Sequence, residues 1–366
     1  MYNKYEFSDP FSVSFNVMKL KYTELDEALT SSNFLTQTDK VNVFISLEAV
    51  YKNLSTIQDL EQKIMLYKDF KTLIISNILN LAAHYKHFFV ANNMDVRVYL
   101  YQTDMSSDDF KQRKYIEDFR TYYLIKYNQN PKFSYFTDML KDHILEELKI
   151  YCTFIPRVYF INSRNIEGSS IPYVIASDDS KRKNIVIGND VFESQYSFMD
   201  NFMYFFIQKG FGKKFIYKTT NDYLSSIFKR PKEEIDVSYS VFNNFGIYAG
   251  LLSVMGNRVR SIDNISGIGP QRLAENLDEL LHKHIINPET TNPQMISRFL
   301  TRDEDRKQFV SNYYCTSVTC LNEDLTKSDI LSILNQRKDK LDMNSLINLN
   351  NTKFRDHPLL IDSLSH

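Results

Sequence analysis

The strongest restriction on the fold is a strand, helix, strand succession in the first hundred or so residues. Val41 to Ile45 (V-N-V-F-I) combines β-branched and aromatic residues in an apolar run, the pattern of a buried strand. From Ile57 to Asn92 the apolar residues Leu60, Ile64, Tyr67, Phe70, Ile74, Ile78 and Leu81 recur at helical spacing, enough for one long amphipathic helix or two. Val96 to Tyr101 (V-R-V-Y-L-Y) then reads as a second strand. A connection of that length is a crossover, so the strands lie parallel and the chain opens as an α/β fold.

The pattern continues downstream. Ile155–Ile161 and Asn184–Ile187 read as further strands, and Phe202 to Lys218 as a turn and a strand, F-I-Y-K. Asn221–Phe228, Val237–Met255 and Met295–Phe309 read as helices, with later helical stretches over Leu325–Asn335 and Met343–Asn348. Cys315 and Cys320 fall in a Tyr- and Val-bearing stretch that reads as strand-like. The three cysteines have no histidine near them at zinc-ligand spacing and read as reduced thiols. His84 and His87 lie one helical turn apart without an acidic or cysteine partner, which favours packing over metal binding. A length of 366 residues with 43 % apolar content builds a substantial core. No apolar run is long enough to cross a membrane, and the amino terminus lacks a signal-peptide pattern, so the expectation is a cytoplasmic protein. A net charge of −1 gives no global attraction to nucleic acid, and any basic surface must be local. Absence of Trp beside abundant Lys, Asn, Ile, Tyr and Phe suits an AT-rich genome such as a phage.

One stretch looks built to hold a phosphate. Gly256 to Leu273 reads G-N-R-V-R-S-I-D-N-I-S-G-I-G-P-Q-R-L. Gly267 and Gly269 permit a tight turn, and Pro270 is pre-set for the first position of a helix running from Gln271 to His284. The free N–H groups of that helix start, with Arg272 beside them, would seat a nucleic-acid phosphate without regard to sequence. A helix-turn-helix corner with no ligand is the alternative. A second basic stretch, Asp104 to Tyr127, interleaves Lys111, Arg113, Lys114 and Arg120 with Phe110, Tyr115, Phe119 and Tyr122, a mixture that pairs with phosphates and stacks on bases. The same pattern also describes a helix with an aromatic core face and a solvated charged face, diluted by Asp108, Asp109, Glu117 and Asp118.

The glycine stretch resembles the helix-three-turn-helix of the flap endonuclease and 5′-3′ exonuclease family, whose pattern G-D-x-x-D-N-I-P-G-V-x-G-I-G lies on it without a gap. Gly256, Ile262, Ile265, Gly267, Ile268 and Gly269 match, and Asn257 and Arg260 stand where that family carries aspartates. Glu167 to Ala176 (E-G-S-S-I-P-Y-V-I-A) is similar to the family's E-A-D-D-x-x-x-x-I-A, with Ser169 and Ser170 replacing the aspartates. Asp190 takes the first position of the family's D-x-D strand end and Phe192 the second; Ser46 stands where the first strand ends in an aspartate. The resemblance implies a PIN-like mostly parallel sheet flanked by helices. On this layout residues 1–40 are an N-terminal extension and 41–255 the nuclease-type domain with an arch-like region at about 104–150. Residues 256–287 form the DNA-binding element, with Gly267, Gly269, Gln271 and Arg272, and 288–366 a C-terminal helical region. The basic stretch takes the place of the arch.

Three functions follow from these substitutions. The first is a catalytically degenerate member that binds duplex or branched DNA in replication, repair or a phage process and requires no cofactor. Glu167 and Asp190 are its residual acids, able to hold at most one loosely bound Mg²⁺. The second is an active Mg²⁺-dependent 5′ nuclease with a site rebuilt from Glu48, Glu167, Asp178, Asp190 or Glu193. The third is a structural subunit of a replication or transcription assembly that keeps the fold alone.

Overall fold

The computed structural model describes residues 33–35, 39–54, 68–103, 144–163, 168–207, 215–217, 220–228, 245–256, 262–265, 268, 300 and 302–319, together with 27, 29 and 30. Five parallel strands form its centre: β1 (Lys40–Ser46), β2 (Asp95–Thr103), β3 (Val158–Ser163), β4 (Lys183–Gly188) and β5 (Phe202–Ile207). A short β6 (Phe215–Tyr217) returns antiparallel along β5, and the spatial order is β3-β2-β1-β4-β5-β6. β1 is buried along almost its whole length, as a central strand covered on both faces must be. Its one internal polar side chain, Asn42, donates to Asn184 of β4 at 2.9 Å. These two residues are register partners, so a slip of one residue would strand both amides in the core.

Helices cover the two faces. α1 (Leu47–Leu54), α2 (Lys68–Ala91) and α3 (Glu146–Phe154) pack on one side, where Ile75, Ile78, Leu79, Ala82, Tyr85 and Phe89 of α2 repeat at three- and four-residue steps against the sheet. α2 ends where Asn93 adopts φ 58° and Met94 N–H bonds back to Phe89 O at 2.9 Å, the left-handed exit that Asn tolerates. Cys152 of α3 is buried and in no disulfide. On the other side lie α4 (Ile171–Asp178), α5 (Thr220–Phe228), α6 (Phe245–Met255) and α7 (Asp303–Thr316), with a 3-10 turn at Glu193–Phe198. This layer is aromatic: Phe44 stacks on Tyr99 and Tyr99 on Tyr159 across three strands, and Phe198 stacks on Tyr248 at 3.9 Å. Leu29, from the expected N-terminal extension, is buried in the first core.

Several boundaries differ from the sequence expectation. β3 begins at Val158 rather than Ile155, because Pro156 and the positive φ of Arg157 (66°) form a turn first. Phe202 to Lys218 holds two strands, β5 and β6, instead of one. Of the helix expected over Met295–Phe309, residues 295–299 and 301 lie outside the described residues, Leu300 and Arg302 are not helical, and α7 covers the part from Asp303 on. The strand-like reading around Cys315 is overturned: that residue lies in α7, which starts with Asp303, Glu304 and Asp305 at its positive dipole end and packs on α6.

Candidate functional site

Strand order reverses direction between β1 and β4, and in open parallel sheets the crevice outside the carboxyl ends of strands at that point is where ligands bind. Register brings three residues level at its rim. Ser46 pairs with Tyr101, and both lie one step beyond the Ile45–Ile187 pair, beside Gly188.

Ser46 is buried, and its Oγ accepts the N–H of Ala49 at 3.3 Å, capping the start of α1. Glu48 stands in the first turn of that helix, half-buried. After β4 the chain passes Asn189 and Asp190 and curls through the 3-10 turn, which returns Glu193 beneath the strand end. Glu193 is 3 % exposed; Tyr101 Oη donates to its Oε1 at 2.7 Å, and the Asp190 N–H approaches Oε2 at 3.4 Å. A Cβ on Gly188 would lie 1.8 Å from that same Oε2, so the carboxylate fills the space a side chain at 188 would take. Asp190 Oδ1 accepts the N–H of Phe192 at 3.0 Å, and Asp190 O accepts the Tyr204 hydroxyl at 3.0 Å. Phe192 is buried in the aromatic core. Burial, and then the negative charge of Glu193, push the hydroxyls of Tyr101 and Tyr204 well above the usual tyrosine range. Both phenols are therefore neutral donors. Ser169 and Ser170 are buried in a 3-10 turn before α4, and Ser169 O accepts from Tyr196 Oη at 2.6 Å.

Of the residues the sequence singled out, Asp190 sits at the crevice rim, half-buried. Glu193, named only as an alternative acid, is the carboxylate folded into it. Asp178 ends α4 and Asp179 follows it at the amino-terminal ends of the strands, where Asp179 pairs with the buried Arg182 at 3.1 Å. Glu167, Asn257, Arg260, Gly267, Gly269, Gln271, Arg272, Lys111, Arg113, Lys114 and Arg120 lie outside the described residues. The approach to the glycine turn is described in part. Gly256 leaves α6 at φ 63°, and a Cβ there would meet Ile262 O at 2.4 Å. Ile265 N–H bonds to Val254 O at 2.9 Å, so residues 262–265 fold back on the end of α6. Ile265 and Ile268 are buried in the aromatic core.

No protein-family model matches the sequence, and no curated protein does. Among solved structures the similarity is to a flap endonuclease. The bacteriophage T5 flap endonuclease, in a pseudo-enzyme–product complex with DNA and metal ions, is 14 % identical with a TM-score of 0.47, over 81 % of this chain and 100 % of that one. The same phage protein co-crystallised with metal ions gives 14 % and 0.46, over 80 % and 99 %. The T5 5′-exonuclease with bound zinc gives 14 % and 0.44, over the same shares. At these values the likeness decides nothing about chemistry, and the reading of the crevice rests on the side chains above. Among the described residues no helix is long and apolar enough to cross a membrane.

Proposed function

We propose that this chain binds DNA by its structure and not its sequence, on a flap-endonuclease-like fold whose crevice no longer runs a two-metal nuclease reaction. The observation that carries this reading is the use of the rim positions. Ser46 caps a helix, Phe192 is core, and the Glu193 carboxylate is buried under Gly188 with a phenol on one oxygen. A pair of small divalent cations needs several carboxylates that offset the loss of their water. The donors described at this rim do not fit such a pair: Asp190 accepts a backbone N–H and Glu193 is enclosed by the chain itself. Glu167 and Asp190 are the residual acids on this reading, and Mg²⁺ is not required for binding.

DNA enters through the resemblance of Gly256 to Leu273 to a helix-three-turn-helix. The turn at Gly267, Gly269, Gln271 and Arg272 seats a phosphate, and Lys111, Arg113, Lys114 and Arg120 supply further phosphate contacts. Replication, repair or a phage DNA process in the cytoplasm is the setting, with protein partners there. The test is fluorescence anisotropy and gel cleavage with the full chain on 5′-flap and plain duplex DNA, with Mg²⁺ or Mn²⁺. Expected are binding indifferent to base order, a log K against log salt slope of roughly −0.9 per phosphate contact, a slope smaller by about one unit in Arg272→Ala, and no cleavage. Cleavage lost in Asp190→Asn or Glu193→Gln would establish the rebuilt nuclease instead. Failure to retard either DNA at low salt would leave the structural subunit.

A further inference from the structure

Three consecutive side chains of the turn after β4 reach three different elements. Glu193 accepts the Tyr101 hydroxyl of β2 at 2.7 Å, Ser194 Oγ lies 2.8 Å from Tyr248 Oη of α6, and Gln195 meets the end of α7. That spread follows from a 3-10 turn, in which successive residues point about 120° apart. The contact of Gln195 is two-sided: its Nε2 donates to Thr316 O at 2.7 Å and its Oε1 accepts the Val318 N–H at 3.4 Å. Thr316 is the last residue of α7, where carbonyls have no partner within the helix, and Ser317 continues in extended backbone. One side-chain amide therefore pairs with main chain much as a neighbouring strand would, giving one hydrogen and taking another. Gln195 is fully buried, and Val318 is buried in the aromatic core. Ser253 Oγ of α6 lies 2.7 Å from Thr316 Oγ1, so the same end of α7 is tied to α6 as well.

We infer that the end of α7 is a latch on the crevice: through Gln195 it holds the turn in the rotation that keeps the Glu193 carboxylate beneath Gly188. The inference rests on the reading that Glu193 fills this crevice and takes it out of metal chemistry. Burial disfavours a carboxylate, which regains water by turning out to the rim beside Asp190. Glu193 is 3 % exposed with Gly188 against it, so it reaches water through movement of the turn's backbone, and that movement carries Ser194 and Gln195 out of their contacts. The two hydrogen bonds of Gln195 oppose it. Displacing residues 316–318 frees the turn and exposes Glu193, which makes the contact a self-block whose release lies outside the crevice.

The experiment labels the carboxylates of the full chain with a carbodiimide and glycinamide and reads the rate at each residue by mass spectrometry, with exposed Asp263 as the internal reference. In the wild-type chain Glu193 should react far more slowly than Asp263. Gln195→Leu keeps the bulk and removes both contacts with residues 316 and 318. Its Glu193 should react about tenfold faster than in wild type, the ratio for about 1.4 kcal/mol and within the range for two lost hydrogen bonds, while Asp263 keeps its rate. Cys152→Ala, which opens a small cavity in the core on the other face of the sheet, destabilises the chain without touching the turn and should leave Glu193 at the wild-type rate. An unchanged Glu193 in Gln195→Leu, or an equal rise in Cys152→Ala, overturns the latch. Wild-type Glu193 that reacts as fast as Asp263 overturns the underlying reading as well, and that result is separate because it is read on the unmodified protein. Should Gln195→Leu fail to fold, amide exchange of the wild-type chain decides: Val318 N–H and Gln195 N–H, the latter bonded to Phe192 O within the turn, must open with protection equal to within a factor of about five, and a wider gap refutes the coupling.

Discussion

Replacing Gly188 by alanine sets two opposed effects against each other. Gly188 is a strand residue without a positive φ, so alanine fits its backbone, and the loss of freedom in the unfolded chain alone would stabilise by about 0.4–1 kcal/mol. Against this, the new Cβ would lie 1.8 Å from Glu193 Oε2 and 2.7 Å from its Cδ, so the carboxylate must leave. It then loses the Tyr101 hydroxyl, and a hydrogen bond to a charged group contributes about 1.5–3 kcal/mol. Tyr101 keeps a buried hydroxyl without its acceptor, a further cost of about 1–3 kcal/mol. The net expectation is destabilisation by about 2–4 kcal/mol, the upper part of the range for single substitutions. A double-mutant cycle isolates the cause. With Glu193→Ala already in place the clash is gone, and adding Gly188→Ala should be neutral or stabilising, giving a coupling energy of about 2 kcal/mol or more. Urea unfolding followed by circular dichroism supplies all four free energies. A Gly188→Ala chain as stable as wild type, or one that costs the same in both backgrounds, would show that Glu193 does not occupy the crevice as described.

Gly256→Ala carries both the left-handed backbone penalty of roughly 1–2 kcal/mol and a clash with Ile262 O and Asn264 N, at 2.4 and 2.6 Å, that backbone cannot yield. It should destabilise by about 3 kcal/mol, and a urea midpoint close to that of wild type would refute the folded-back path of residues 262–265. Alkaline stability reads the buried phenols. Burial raises Tyr99 to about 12 and puts Tyr101 and Tyr204 well above 10, so their contribution is complete below pH 10 and is lost as pH rises through the folded values. Each should remove about 1.4 kcal/mol per pH unit in that window. Urea midpoints that stay flat above pH 10 would mean that these hydroxyls ionise freely in the folded protein.

What the sequence revealed depended on how local each signal was. β1, β2 and β4 were legible because centrally buried parallel strands are apolar runs, and the parallel sheet followed from the length of the first crossover. β5 was not separated, because the one strand expected between Phe202 and Lys218 lay at F-I-Y-K, which is β6. The stretch around Cys315 carried strand propensity that packing of α7 against α6 overrode. At the crevice, motif matching named Asp190, which lies half-buried at the rim, and put Phe192 on an acid's position in the pattern. It gave Glu193 no special rank, because that residue becomes important only through a 3-10 turn and a hydrogen bond to Tyr101, 92 residues earlier. One clue was present in sequence: a glycine directly at the strand end, two residues before the Asx-type turn at Asp190 and five before the glutamate.

Arg182, just ahead of β4, has consequences for the order in which the chain becomes structured. Its buried guanidinium pairs with Asp95 and Asp179 and donates to the carbonyls of Asp95 and Val41, the latter 141 residues upstream. These partners come together only when β1, β2 and β4 are side by side. Until β4 leaves the ribosome, β1 has one bare hydrogen-bonding edge and the guanidinium has no seat. A half-made chain therefore has little to gain from closing the sheet early, and closing it late brings in distant pairing and charge neutralisation at one step. Folding of the sheet is in this way tied to completion of its fourth strand in sequence.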